Sequence, residues 1–250
     1  MELSRRLQAV ANLVPKVNVA ADIGCDHGYV AIWLVEEKIC TRVIAMDVNK
    51  GPLERAKQNI EAHCLSDYIE TRLSNGAEKL TAGEADTLIC AGMGGKLTIG
   101  ILERSLDKVK AMSGFVIQPQ SDLREVRKFI REQGFSIAAE DMILEDEKFY
   151  PMMQVVTKPE PAMSTDVTTV QTKTEISDWE QEMQDTYGPL LLQQAHPVLK
   201  IYLEKQMDVL SGIIEDLRQK ADAERGLTRV QELESKRENM QKLLTKYFLL

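Results

Sequence analysis

The stretch ADIGCDHGYV, residues 21–30, gives the first indication of the fold class of this chain. An apolar run ends at Ile23, and Gly24 and Gly28 then bracket an acid and a histidine. A strand that passes through a glycine turn into a helix is the way in which open α/β sheets build nucleotide sites. The spacing from Asp22 to Gly28 lacks the G-x-G pair of dinucleotide-binding folds. On its own, therefore, the stretch fits a structural strand-to-helix turn equally well.

The residues that follow predict a doubly wound, Rossmann-like sheet, because short apolar runs alternate with helical patterns up to about residue 158. Two further extended runs, Phe135–Leu144 and Phe149–Thr157, are separated only by the acidic Glu145–Lys148, so we expect a terminal antiparallel hairpin. A mostly parallel sheet with such a hairpin is more typical of methyltransferases than of dehydrogenases. The strands predicted before the hairpin are Val19–Gly24, Arg42–Asp47, Tyr68–Leu73, Thr87–Ala91 and Gly114–Gln118.

The composition of the chain limits what it can bind. Its 250 residues are 44% hydrophobic and carry a net charge of −8, so nucleic acid would have to bind to a local basic patch. No apolar run is long enough to span a bilayer, and we expect a soluble, cytoplasmic protein with an amphipathic N-terminal helix. The cysteines form no C-x-x-C pair and the three histidines do not cluster with them, so we expect reduced thiols and no metal. These cysteines are Cys25, Cys40, Cys64 and Cys90.

The composition changes after residue 158. We expect a methyltransferase-like domain over 1–158, a Thr-rich linker or surface excursion over 159–177, and a helical arm over 178–250. Apolar residues at alternating spacings of three and four, on either side of Gly226, predict an antiparallel coiled-coil hairpin. The hairpin is either a structural or dimerising appendage or an arm that grips a large substrate, and we expect a monomer or a weak homodimer.

Acidic residues at the ends of the first two strands are candidate ligand contacts. Asp22 could hold an amine, and the amides ahead of the next helix could hold a carboxylate, which suits the amino-acid end of S-adenosylmethionine. Asp47 could accept both hydroxyls of a ribose, although a solvated turn or a helix cap would use an acid in the same way. Asn75 and Gly76 follow the third strand, where an adenine ring would lie, and Asn-Gly is also an ordinary turn.

The fourth strand ends in a glycine cluster, Gly92-Met93-Gly94-Gly95. Ligands lie beyond the carboxyl ends of the strands in such sheets, and glycines there let a flat base approach the backbone. The segment from Gln118 to Asp122, which includes Ser121, follows the fifth strand and brings polar groups to the same rim.

Several motifs together resemble those of the bacterial tRNA adenine-22 N1-methyltransferases. Each motif alone is generic, but their order and the GMGG, QPxS and YGPLLL elements are specific, and the resemblance extends from the N-terminal helix through Val156 and includes the helical hairpin. The motifs are SRRL (4–7), DIGCDHGY (22–29), MDVNKGPLERA (46–56), SNGAEKL (74–80), AGMGGKL (91–97), IQPQSDLREVRKFI (117–130) and YGPLLL (187–192).

The resemblance implies a class I methyltransferase that uses S-adenosylmethionine, releases S-adenosylhomocysteine, and methylates N1 of adenine 22 in tRNA. The residues that would bind the donor are Asp22, Gly24, His27, Gly28, Asp47, Asn75, Gly76 and Gly92. The residues that would border the target base are Asp26, Met93, Gly94 and Gly95. The expected substrate contacts are Arg5, Arg6, Gln118, Ser121 and Arg124.

Adenine N1 has a lone pair and no proton, so the enzyme needs no general base and acts by orientation, desolvation and charge stabilisation. Asp26 is the candidate for stabilising the cationic product ring. His27 either contacts the donor or caps the following helix. The basic clusters on 124–131 and near 218–229 are either phosphate contacts or solvated helix faces.

The alternatives are another S-adenosylmethionine-dependent RNA methyltransferase, a nicotinamide-dependent oxidoreductase, and a non-catalytic tRNA-binding adaptor that retains the donor pocket. The missing G-x-G-x-x-G and the terminal hairpin count against the oxidoreductase.

Overall fold

A computed structural model describes residues 2–158, 176–220 and 224–248, with the side chains of 220 and 224–227 outside the description. The chain forms two compact units, Met1–Gly188 and Pro189–Leu250. The predicted linker at 159–177 lies almost wholly outside the described residues. No helix within the described ranges is both long enough and apolar enough to cross a membrane.

The first unit is built on a seven-stranded sheet with the order β3-β2-β1-β4-β5-β7-β6. The first five strands pair in parallel, and β7 pairs antiparallel with both β5 and β6, which confirms the predicted sheet and terminal hairpin. The hairpin turn places Asp146 and Glu147 at positive φ, as a two-residue turn matched to strand twist requires. The strands are β1 (Val17–Ile23), β2 (Cys40–Asp47), β3 (Ile69–Leu73), β4 (Thr87–Met93), β5 (Gly114–Pro119), β6 (Ser136–Glu145) and β7 (Lys148–Val156).

Helices cover both faces of this sheet, because the parallel strands expose apolar side chains on each side. One core cluster contains residues of α1, α2 and α3, such as Val10, Ile32 and Ile60. The other contains residues of α4, α5 and α6, such as Leu102 and Ile130. The helices of this unit are α1 (Arg5–Asn12), α2 (Tyr29–Glu36), α3 (Lys50–Ala62), α4 (Gly95–Arg104), α5 (Leu106–Ala111), α6 (Leu123–Glu132) and α7 (Asp178–Tyr187).

Helix α7 belongs to the first unit. The sequence had instead predicted that the C-terminal arm begins at residue 178 and includes this helix. Arg127 of α6 is buried, forms a 2.9 Å ion pair with Glu140, and donates to the carbonyls of Asp185 and Thr186 at the end of α7. Arg131 adds a 2.8 Å ion pair with Asp185. Three of the four basic residues in the cluster on 124–131 therefore bind α7, since Arg124 pairs with Glu182. Because Arg127 is also buried, it is not a surface contact for phosphate.

The second unit consists of α8 (Pro189–Gln193), α9 (Pro197–Lys220) and α10 (Glu224–Phe248). Arg218 pairs with Glu234, and Arg237 donates to Ser211, so α9 and α10 are antiparallel. This register confirms the antiparallel hairpin. Gly226 was predicted to lie between the two helices, but α10 already begins at Glu224 and includes it. The buried side chains of the predicted seams include Leu203, Leu210, Ile214, Val230, Leu233, Met240 and Leu244.

Candidate functional site

A cleft of about 430 Å³ opens beyond the carboxyl ends of β1 and β4, where ligands of open α/β sheets bind. Most of its wall comes from the β1–α2 loop, the end of β4 and helix α1. The predicted site residues that line the cleft are Arg6, Asp22, Gly24, Asp26, His27, Gly92 and Met93.

The β1–α2 loop is a tight turn that exposes backbone to the cleft. Gly24 and Gly28 have φ of 74° and 72°, and the Gly24 N–H donates to the Met46 carbonyl at 2.8 Å. A Cβ on Gly28 would lie 3.2 Å from that of Ala56, so the loop packs closely on α3. Gly28 is itself the N-cap of α2 and no side chain caps that helix, so of the two alternatives for His27 the structure excludes the helix cap and leaves the donor contact.

Asp22 is a buried acid at the end of β1 that lines the cleft. Within the described parts of the chain, no side chain or backbone group donates a hydrogen bond to its carboxylate. Burial, and then the charge of Asp47, raise the pKa of Asp22 to about 7. A buried acid without a donor favours a cationic ligand, which would supply both charge and hydrogen bonds.

Asp47 and the segment after β3 lie at the adjoining strand ends and do not line the cleft. Asp47 accepts the Asn49 N–H at 2.8 Å, and its carbonyl accepts the Ser74 N–H at 2.9 Å, so the ends of β2 and β3 are joined. Asn75 donates to Glu78 at 2.8 Å, and Gly76 follows it with φ of 59°. The structure thus places Asp47, Asn75 and Gly76 together on one side of Asp22.

Asp26 lines the cleft but is mostly exposed. Its carboxylate lies 3.3 Å from the Arg55 guanidinium and 3.7 Å from the His27 ring. The backbone of Asp26 has φ of 47°, a conformation that a short acidic side chain tolerates. Because water and Arg55 already screen this charge, its influence on a bound group is smaller than that of a buried acid.

The end of β4 forms the opposite wall. Gly94 is the N-cap of α4, and the Gly95 N–H donates to Ser121 Oγ at 3.2 Å. A Cβ on Gly95 would overlap the Ser121 carbonyl oxygen, so only glycine lets the two loops meet. The ε-methyl of Met93 lies over Gly24, and its sulfur lies 3.4 Å from the buried Cys90 thiol. Met93 therefore joins the two glycine loops.

Arg6 reaches the cleft from α1. It donates to Oε1 of the fully buried Gln118 at 3.0 Å and lies over the Tyr150 ring at 5.7 Å. These contacts hold a guanidinium with further free donors at the edge of the cleft. Arg5 lies on the exposed side of α1, and Arg124 pairs with Glu182 on the surface at 3.2 Å, so neither lines the cleft.

The structure also adds residues to the cleft that the motifs did not single out. The most notable is Tyr29, whose ring stacks on His27, two positions earlier in the chain. An aromatic residue directly after the glycine turn was the available signal. The other additions are Leu7, Cys25, Val30, Ala91 and Gln120.

Comparisons with known proteins cover nearly the whole chain. The family model of the methyltransferase domain matches residues 3–153. The curated tRNA (adenine(22)-N(1))-methyltransferase of Bacillus subtilis (strain 168) is 28% identical over 244 residues, covering 98% of each protein. The crystal structure of the B. subtilis M1A22 tRNA methyltransferase TrmK is 27% identical, with a TM-score of 0.78 over 97% of this chain and 99% of that one. The crystal structure of Streptococcus pneumoniae Sp1610 in complex with S-adenosyl-L-methionine is 28% identical in sequence. Its TM-score is 0.78, and the match covers 97% of this chain and 100% of that one.

Proposed function

Because the chain belongs to the methyltransferase domain family, we propose that it transfers a methyl group from S-adenosylmethionine to N1 of adenine 22 in tRNA. The observation that carries this proposal is the match to the B. subtilis enzyme of that name over 98% of both chains, helical hairpin included. The proposed substrate is thus tRNA, the product S-adenosylhomocysteine, and the compartment the cytoplasm. We propose a monomer or a weak homodimer through the hairpin.

The cleft fits the amino-acid end of S-adenosylmethionine, which carries an ammonium and a carboxylate. Asp22 would bind the ammonium, since its buried carboxylate faces the cleft without a donor among the described residues. The amides of the loop from Gly24 to Gly28, ahead of α2, would bind the carboxylate. Dinucleotide-binding folds use a G-x-G pair to hold a pyrophosphate. The turn in this chain lacks that pair, which suits a single carboxylate better.

The nucleoside end of the donor would lie on the β2 and β3 side of Asp22. Asp47 would accept the ribose hydroxyls, because it ends β2 and is mostly buried. Asn75 and Gly76 follow β3 and would border the adenine ring. Gly92, at the end of β4, would border the donor from the other side.

S-adenosylmethionine, when bound, supplies an electrophilic methyl group. Adenine N1 carries a lone pair and no proton, so the residues of this chain need only orient the base, exclude water and stabilise charge. Met93, Gly94 and Gly95 would border the base, since they lie at and just beyond the end of β4, which forms one wall of the cleft. Asp26 would favour the cationic product, with an effect that its exposure keeps small.

A protein with a net charge of −8 needs local cations to hold tRNA. Arg6 is the best placed, because Gln118 and Tyr150 hold its guanidinium at the edge of the cleft. We propose that Arg6 binds a phosphate beside the target nucleotide, with Ser121 on the same rim. Arg5 and Arg124 would make more distant contacts from the surface.

The experiment that tests this function follows labelled methyl transfer to two tRNA transcripts that differ only at position 22. We expect transfer to the transcript with adenine and none to that with guanine. Transfer to both would make the chain a methyltransferase of another position. No transfer, with donor and tRNA both bound, would leave the non-catalytic adaptor. An Asp22→Ala variant is the matched negative control, and we expect it to lose donor binding.

A further inference from the structure

The cleft contains a pair of aromatic rings, His27 and Tyr29. The motifs assign His27 to the donor, but the donor contacts proposed above use neither ring. The rings of His27 and Tyr29 stack with their centroids 5.3 Å apart and an interplanar angle of 10°. Both residues line the cleft, and both are partly open to solvent, with 36% of the His27 side chain and 39% of Tyr29 exposed. Exposed stacked rings in a cleft are the kind of surface on which proteins stack unpaired nucleobases.

The backbone holds these rings in place. The His27 carbonyl accepts a hydrogen bond from the Asn59 side chain at 2.9 Å, and Gly28 packs against Ala56 of α3. Tyr29 is the first residue of α2, so its backbone is helical. A ring pair on a fixed backbone loses less conformational freedom when a ligand stacks on it than one on a mobile loop, which favours binding.

The donor has its own base, but the structure separates that base from the rings. Asp47 and Asn75, which would hold the donor nucleoside, lie outside the cleft lining, at the ends of β2 and β3. His27 and Tyr29 instead line the cleft together with Met93 of β4, which would border the target base. The rings therefore lie apart from the donor's own adenine and in the same cleft as a residue that would border the acceptor.

We infer that His27 and Tyr29 form a stacking platform for the target adenine, an inference that rests on the proposed function. The platform has no preference among bases, because every base presents an aromatic face. It selects instead for an unpaired nucleotide, since a base inside a duplex cannot reach it.

The test is a binding cycle that needs no methyl transfer. Two proteins are compared, the wild type and a His27→Ala/Tyr29→Ala double variant, both in the presence of S-adenosylhomocysteine. Each is titrated with two tRNAs, one with adenine at position 22 and one that is abasic at that position. Stacking on an aromatic side chain changes affinity by roughly 5- to 150-fold. We expect the adenine-to-abasic affinity ratio to be at least about fivefold larger for wild type than for the variant.

Two controls accompany the cycle. Tyr68→Ala removes a tyrosine that is also exposed but lies in a separate groove, and we expect it to keep the wild-type ratio. Tyr29→Phe keeps a ring, and it should keep most of the ratio too. The affinity of each variant for S-adenosylhomocysteine should stay within about twofold of wild type, which also shows that the cleft is folded.

Equal ratios for wild type and the double variant would overturn the platform, and so would a parallel loss of donor affinity, which would assign the rings to the donor. Methyl transfer to adenine 22, measured with the same wild-type preparation, distinguishes a failure of the stacking platform from a failure of the proposed function. If transfer occurs and the ratios are equal, the platform alone fails. If wild type transfers nothing, the proposed function fails and the platform falls with it.

Discussion

The charge state of Asp22 should control donor affinity between pH 5.5 and 7.5. Its pKa in the free protein is about 7, because the carboxylate is buried and lies near Asp47. A bound ammonium pairs only with the ionised form, so apparent Kd should increase by a factor of 1 + 10^(7 − pH). That factor is about 11 at pH 6 and about 1.3 at pH 7.5, which predicts an affinity roughly eightfold weaker at the lower pH.

Isothermal titration with S-adenosylhomocysteine measures this effect without methyl transfer. The ligand's own amine, like that of a free amino acid, titrates above this pH window, so the change in affinity reports Asp22. The Asp22→Asn variant should bind the ligand weakly, with an affinity that does not change with pH. In Asp47→Asn the pH at which affinity changes should fall below 7, because this substitution removes a charge that raises the pKa of Asp22. If the affinity of wild type did not change with pH, or if it changed equally in Asp22→Asn, the charge of Asp22 would not control donor binding.

The same pKa affects stability in the opposite sense. The pKa of Asp22 is raised on folding from 3.8 to about 7, so its contribution to the free energy of unfolding is complete below pH 3.8 and is lost as pH rises through 7. The loss is at most about 4 kcal/mol. Asp22→Asn should therefore raise the melting temperature of the ligand-free protein at pH 8 while it weakens donor binding.

Three further substitutions test other parts of the site and fold. Gly95→Ala would bring a Cβ onto a neighbouring carbonyl oxygen, so thermal unfolding should show a loss of at least about 2 kcal/mol and methyl transfer should fall with it. Arg127→Met would leave the buried Glu140 carboxylate without its guanidinium, and urea unfolding should show a loss of about 3–5 kcal/mol; an unchanged midpoint would contradict the buried pair. Arg6→Ala should lower kcat/KM for tRNA by about 10- to 100-fold, because a charged hydrogen bond is lost, whereas Arg5→Ala on the exposed side of the same helix should change it less than about threefold.

The sheet could be predicted from the sequence because its signals are local. Buried parallel strands are short apolar runs, and Gly24 and Gly28 show where the first one turns into a helix. The acidic pair Asp146-Glu147 between two extended runs indicated the hairpin. Asp22 and Asp47 follow from the same rule, since acids at the ends of adjacent parallel strands lie at one edge of the sheet.

Features that depend on distant partners could not be predicted in this way. Arg127 resembles its exposed neighbours on α6, and only the fold shows that it is buried between Glu140 and the end of α7. Gly226 resembles a turn residue, yet it lies within α10, since one glycine lowers helix stability by only about 1 kcal/mol. The His27–Tyr29 stack depends on the turn geometry at Gly28, which spacing alone does not reveal.

Methylation of N1 of adenine 22 can be detected by reverse transcription of tRNA after incubation with the protein and S-adenosylmethionine. A methyl group on N1 blocks the pairing edge of adenine, whereas one on the exocyclic amine leaves pairing possible. We predict a stop next to position 22 that depends on the donor, is absent with Asp22→Ala, and disappears when adenine 22 is replaced. Methyl incorporation without a stop at that position would contradict this prediction.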